Sequence, residues 1–371
     1  MKSSNILDKN KEVVKLEKIP LVFIIISASL FGISMPLAKL LVKDIPPVAL
    51  AGLLYLGVFA GLSLYSFVRR KRTTDPDKKV AMLERKDFPW IAGAVITGGI
   101  IGPISMMMGL TLVSGFSASL LLNLEGLATA MIAIFFFKEN AGKRFWLALV
   151  CMTIAGVFLT WVPDQSKFSI AGPLLIIFAM VCWGIDNNLT RNISDKDPIQ
   201  ISKIKGFIAG TTSISLALIL GMKPSLDITI AFALLLGAFT YGVSLVFFIK
   251  ALKGLGSSRT GVFFSFAPFI GAIASFIILR ESVGWVMFPA AGFMIIGTWL
   301  IGSERHAHIH FHKMVTHTHS HNQSDMHHLH EHSEKVHEPH THEHAHIELS
   351  HAHVHWPDTH HRHEHGAGRD D

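Results

Sequence analysis

The first 305 residues contain no histidine, and cysteine occurs only twice in the whole chain of 371, as Cys151 and Cys182. Charge is scarce too: Lys, Arg, Asp and Glu make up 16% of the residues, against about 25% in a typical soluble domain. Each shortage excludes something. Two cysteines inside apolar runs support neither a disulfide framework nor a cysteine metal centre. With no nucleotide-binding loop and no nucleophile motif, nothing points to an enzyme or an ATP-driven pump. An apolar body without histidine also offers few ligands to a metal ion crossing it.

What is present is apolar length, since half the residues are hydrophobic. A helix needs about 20 apolar residues to cross the hydrocarbon core. Ten such stretches read roughly as 20–42, 47–68, 89–111, 115–137, 144–162, 170–190, 203–221, 228–250, 258–279 and 284–302. Open strands would leave backbone groups unpaired in lipid, so these are helices. The expected fold class is an all-α membrane protein with a disordered tail. It divides into an N-terminus (1–19), two five-helix halves (20–162 and 170–302) and a His-rich segment (303–371). The first run follows a basic N-terminus and lacks a small-x-small cleavage pattern, so it is expected to be retained as a span.

Lys and Arg set the orientation. With the N-terminus inside, the internal segments hold 23 Lys or Arg and the external ones only Lys39, Lys43, Lys167, Lys223 and Arg280. By the positive-inside rule both termini are expected in the cytoplasm, in a multi-pass plasma-membrane protein. Residues 1–302 carry 28 basic against 16 acidic residues, and the remainder 5 against 11. The overall charge of +6 is thus the sum of basic loops and an acidic tail, with no call for nucleic acid.

The halves resemble each other. Leu122-Asn123-Leu124-Glu125-Gly126, continuing to Lys138-Glu139, matches Phe264-Ser265-Phe266-Ala267-Pro268, continuing to Arg280-Glu281, at an offset of 142. Phe31-Gly32-Ile33-Ser34 likewise matches Trp183-Gly184-Ile185-Asp186. Five helices is an odd number, so the second copy is expected to run inverted, a recurrent transporter plan. With Trp183-Gly184, the run Ser117-Ala118-Ser119 and the Lys-Glu and Arg-Glu endings, residues 20–302 resemble the drug/metabolite transporter superfamily, in its EamA-type members. The resemblance implies ten helices, both termini inside, and transport of small metabolites, very often export. One departure is Gly126, where the family usually has the proline seen in the second half as Pro268.

Glu125 lies mid-span, where a carboxyl is costly unless it faces a cavity or a partner. It can take a proton or a cationic group, or it can be a structural carboxyl bonded to Asn123 or nearby backbone. Asp186 and Asn187 fall near a helix end. There an inner vestibule is one role, and pairing with Arg191 or contact with water is the expected one. Trp183 and Tyr241 either wall a cavity or, more commonly, anchor at the interface. Ser265 completes the pathway candidates. Met106-Met107-Met108 cannot converge on one ion, because consecutive helical residues point apart; lipid packing is expected.

The tail holds all 23 histidines in His-x-His patterns. These are His306, His308 and His310; His317, His319 and His321; His342, His344 and His346; His351, His353 and His355; and His361, His363 and His365. Imidazole suits Zn, Ni and Co, and at about four ligands per zinc the tract has room for on the order of five ions. A pH-responsive or simply biased polar tract is the alternative. With few aliphatic residues the segment is expected to be disordered.

The expected function is a secondary carrier, an exporter by the resemblance, for a small organic metabolite. It needs no cofactor, sits in the lipid bilayer and carries a tail that binds transition-metal ions. The alternative is a carrier of divalent Zn, Ni or Co with the tail as collector. A non-transporting metal sensor would not need a duplicated body.

Overall fold

The computed structural model describes residues 2–72, 81–137, 143–160, 170–194, 196–251, 263–281, 284–285, 287–302, 306–312, 316–321, 340–345 and 349–355. The chain divides into two units, residues 1–74 with 82–304 and residues 75–81 with 305–371.

Among its described residues the first unit has helices and no strands. Its helices are α1 (Lys2–Leu41), α2 (Pro47–Arg72), α3 (Phe88–Ala94), α4 (Gly102–Leu112), α5 (Gly115–Leu121), α6 (Leu124–Phe137), α7 (Lys143–Thr160), α8 (Ala171–Arg191), α9 (Pro198–Ile219), α10 (Ile228–Leu236), α11 (244–251), α12 (Ala267–Leu279) and α13 (Met287–Gly302). Five helical runs have the length and apolarity to cross a membrane: Ile19–Leu41, Pro47–Val68, Arg85–Leu112, Ala171–Arg191 and Ile228–Ala251. Trp146–Phe158, Ala267–Leu279 and Met287–Leu300 are shorter apolar helices. Large side chains such as Val22, Phe67, Phe135, Phe239 and Ile277 stand exposed on the outside. In water such a surface would aggregate; against lipid tails it costs nothing.

Two runs are not regular. A π-helical stretch, Val95–Ile101, joins α3 to α4, and another, Gly237–Val243, joins α10 to α11. Both their starts and their ends lie 142 residues apart, the offset at which the sequence halves match. A π turn shifts the backbone bonding from i→i+4 to i→i+5 and recurs at functional sites.

The fourth expected span is likewise not continuous. It breaks at Leu122-Asn123 between α5 and α6, as the ninth does at Ser265-Phe266 before α12. Pro268 near the start of α12 accounts for the second break, because it has no N–H to continue a preceding helix. Gly126 cannot do this. At the first break the turn is held by Asn123, whose backbone N–H and side-chain amide both donate to the Leu120 carbonyl (3.1 Å each).

The helices pair in a pattern that survives exchange of the halves. α1 packs on α12 as α8 packs on α6, the first π stretch lies on α8 and α9, and the second lies on α1 and α2. α2 pairs with its counterpart α9, and α7 with α13. Equivalent glycines permit the closest approaches. A Cβ on Gly32 would strike the backbone of Ala267 and Gly271, and one on Gly184 the backbone of Ala128 and Thr129.

The second unit holds strands in part of the segment expected to be disordered. It contains β1 (His306–His312), β2 (Thr316–His321), β3 (His340–Ala345) and β4 (Leu349–His355). β1 pairs antiparallel with β4, and β2 with β3. The intervening Ala, Ile, Phe, Val and Thr residues are the reason: alternation with histidine has the period of a strand. His346, His361, His363 and His365 lie outside the described residues.

Candidate functional site

One stretch of α8 gathers three of the expected residues. Trp183, Asp186 and Asn187 fall at i, i+3 and i+4, so they share a side of the helix. The Asn187 amide donates to Glu125 Oε1 (2.9 Å) and to Thr129 Oγ1 (3.2 Å) on α6. Asn188 adds a bond from its amide to the Thr129 carbonyl (3.1 Å). Close packing at Gly184 is what brings α6 within reach.

Asp186 accepts from Lys205 Nζ on α9 at 2.7 and 2.6 Å and from Thr190 Oγ1 at 2.9 Å. Asp186 and Lys205 are both buried, at 8% and 3% exposure. This overturns the expectation that Asp186 meets Arg191 or water. α9 begins at Pro198, capped by Asp197 accepting from the Ile199 N–H (2.9 Å), so Lys205 sits two turns inside the helix and not in a loop. The Asp-Pro start is the sequence signal that would have placed it there.

The first π stretch completes the site. The Gly98 carbonyl accepts from Tyr55 Oη (2.7 Å) and Trp183 Nε1 (3.1 Å). The Asp186 carboxylate occupies the space that a Cβ on Gly98 would need. A backbone acceptor inside lipid-buried protein must find such donors.

An aromatic cluster adjoins this network. Phe31 meets Trp183 edge-on (ring centroids 6.0 Å), Tyr241 (5.7 Å) and Phe264 (5.3 Å), and Tyr241 also meets Tyr55 (6.3 Å). Trp183 and Tyr241 are buried, which corrects their expected role as interfacial anchors. The Tyr241 hydroxyl is buried without a partner in hydrogen-bonding geometry. Phe31 and Trp183 are equivalents in the two halves, so this contact lies where the halves meet.

The remaining candidates stand apart. Asn123 does not bond Glu125; its Oδ1 accepts from Thr298 on α13 (3.2 Å). Ser265 is half-buried in the break before α12. Met106 and Met107 are core residues and only Met108 is exposed, so the expected lipid packing holds for one of three. The Glu281 carboxylate accepts from the Gly115 and Phe116 N–H groups (2.8 and 3.0 Å), and its counterpart Glu139 lies outside the described residues.

A bundle of apolar spans enclosing linked ionisable side chains is the architecture of a multi-pass membrane protein. The chain belongs to the EamA-like transporter family, whose profile matches residues 18–162 and again 170–303. It is 27% identical over 292 residues to an uncharacterized transporter of Methanothermobacter thermautotrophicus, covering 75% of this chain and 84% of that one. It is also 27% identical over 237 residues to the uncharacterized transporter YyaM of Bacillus subtilis, covering 60% and 73%. A solved crystal structure of a protein matches with TM-score 0.55 at 15% identity, over 75% of this chain and 94% of that one. That likeness concerns the fold alone. The protein is a membrane transporter.

Proposed function

We propose that the protein is a ten-span secondary carrier exporting a small organic solute from the cytoplasm across the plasma membrane, with both termini inside. Its two five-helix repeats are inverted relative to each other. The shared 142-residue offset of the π stretches, the exchangeable helix pairing and the twofold profile match support this arrangement.

The observation that carries the functional reading is the link between Glu125 and the Asp186–Lys205 pair through adjacent residues of α8. Asp186 is neutralised by its cation, whereas among the described residues Glu125 accepts from the neutral amide of Asn187. Glu125 is therefore the group free to exchange a proton or a cationic solute group. The aromatic cluster beside it supplies an apolar wall for the organic part of the solute, as ligand sites generally do. A divalent-metal carrier has less support: among the described residues no three His, Cys, Asp or Glu side chains gather into a possible metal site. The tail is read as a binder of zinc, nickel or cobalt that leaves basal transport alone.

Two experiments test this reading. Reporter fusions in the 70–88 loop and after residue 302 should both read as cytoplasmic, and an external signal at either place ends the inside-inside topology. Reconstituted vesicles should move organic solutes under an imposed proton gradient, before and after deletion of residues 303–371. Transport of zinc, nickel or cobalt with no organic competitor would favour the metal carrier.

A further inference from the structure

Polar contacts tie the halves together at both ends of the helical bundle. At the end where α3 begins and α8 finishes, Lys196 Nζ lies 3.1 Å from Glu84 Oε1 and 3.6 Å from Asp87 Oδ2. The Leu83 N–H donates to Gln200 Oε1 (3.0 Å), and the Leu83 side chain packs on a cluster that includes Ile91, Ile193 and Ile201. The Glu84 N–H donates to Asp87 Oδ2 (2.8 Å), which holds the two acids together ahead of α3. Residues 83–87 of the first half are thus fastened to residues 193–201 of the second. At the other end, Glu281 of the second half accepts from the Gly115 and Phe116 N–H groups of the first. The network of Glu125, Asp186 and Lys205 lies between these ends.

Exchange of the halves does not reproduce the Lys196 contact. At the offset of 142, Glu84 corresponds to Leu226 and Asp87 to Thr229. Leu226 is 94% exposed, and Thr229 bonds Asp227 within its own helix cap. The contact is therefore not a requirement of the shared scaffold. Its depth also separates it from the Asp186–Lys205 pair. The Glu84 side chain is 56% exposed, so parting it from Lys196 returns the ions to water. Parting the deeper pair would leave two charges inside the protein. Both sides of the contact also lead to the central network. Asp87 stands immediately before α3, which continues into the π stretch with Gly98, and Lys196 follows α8, which carries Trp183, Asp186 and Asn187.

We propose that Lys196, Glu84 and Asp87 form the latch of a gate between the halves, closing the network around Glu125 off from water at that end. The proposal rests on the carrier reading, and the proposed topology makes this the cytoplasmic gate, through which an exported solute is loaded. Release of the latch lets α3 and the end of α8 move apart, with the π stretch Val95–Ile101 as the point of bending. Closure at the Glu281 end meanwhile keeps the two sides of the membrane from being joined, as alternating access requires.

The test uses the full-length protein in detergent with Cys151→Ala and Cys182→Ala, so that introduced cysteines alone react. Spin labels on Met82→Cys and Ser194→Cys span the latch, and labels on Leu112→Cys and Trp285→Cys span the other end. With the latch intact, one short distance is expected across it. Lys196→Ala should add a longer distance there and none at the other end, while Lys196→Arg should keep the short one alone. Glu84→Gln leaves Asp87 in place and should act in the same direction more weakly, which keeps the test available should Lys196→Ala fail to fold. A separate Thr129→Cys protein reports access of water to the network. A membrane-impermeant thiol reagent should modify it about tenfold faster once Lys196→Ala is added, the range open to a state otherwise populated at a few per cent. Distances and reaction rates that ignore the latch variants, or that change equally at both ends, overturn the gate and leave the carrier reading standing. Distances that respond while reporter fusions place the 70–88 loop outside keep the gate and overturn its assignment to the cytoplasm.

Discussion

The two halves of the membrane body share a scaffold but not a chemistry. Both have a π stretch at the same offset, a broken fourth helix and a glycine that seats the first helix on the fourth helix of the other half. Yet Glu125 in the first half corresponds to Ala267 in the second, and Asp186 in the second corresponds to Ser34 in the first. Each half thus contributes one acid whose counterpart cannot titrate. The two acids converge on one side of α8 because α6 and α8 touch. A duplicated frame fixes where helices bend, and single substitutions within it then decide where charge resides.

The comparison breaks most severely at the ion pair. Lys205→Ala leaves a buried carboxylate without its cation, and should cost about 3–5 kcal/mol along with transport. Pairing Asp186→Asn with Lys205→Met should recover most of that stability and none of the flux. Thermal unfolding in detergent beside vesicle uptake separates the two effects, and recovered flux would show that the pair only holds the helices together.

Glu125→Gln tests the other acid. The amide oxygen can still accept from Asn187, so stability should change by less than about 1 kcal/mol while proton-driven flux is abolished. Adding Ala267→Glu should not restore it, since the second half lacks the Asn187–Thr129 partners on the facing helix. Full activity of Glu125→Gln across pH would make this carboxyl structural.

Gly98→Ala sharpens the contrast between the π stretches. A methyl group there meets the Asp186 carboxylate, and displacing it should destabilise the protein by about 1–3 kcal/mol. Thr240, the equivalent position, already carries a side chain, so Thr240→Ala should cost less in the same melting experiment. Trp183→Phe removes the indole donor to the Gly98 carbonyl and the buried volume of the second ring. An effect of about 2 kcal/mol is expected, with part of the aromatic contact to Phe31 retained.

The smallest effect lies at the end of the bundle, where Glu84 of the first half bridges to Lys196 of the second (3.1 Å). Hydrogen bonds from Lys86 and Lys196 hold the Glu84 carboxyl below its ordinary range. A carboxyl lowered by folding stabilises fully above its unfolded value and loses that contribution as pH falls through the lowered one. Glu84→Gln should therefore lower the melting temperature slightly near neutrality and leave it unchanged at acid pH, where the native carboxyl has already lost its contribution, so that the acid-side decline becomes flatter.

Much of this was legible in the residues, because the membrane restricts what they can do. Apolar length marked the spans, and a mid-span acid had to be Glu125. Periodicity marked the halves. Asp186 drew attention, but its partner did not: Lys205 passed for one more basic residue at a cytoplasmic helix end. Asn123 looked like the neighbour of Glu125 in sequence, yet the bond comes from Asn187, 62 positions away on another helix. Trp183 and Tyr241 read as interfacial by residue type and are central by position.

Composition and pattern alone determined that the chain enters the membrane as helices, that its body is duplicated and that its imidazoles are confined to the tail. Those properties follow from local free energies, which each segment carries with it: transfer into lipid, backbone satisfaction and strand or helix period. Only the tertiary structure decided which acid meets which cation, which carbonyl the π stretch turns toward Tyr55 and Trp183, and which histidines stand opposite each other. These depend on contacts between segments distant in sequence, where a shift of one residue along a helix or strand exchanges one partner for another.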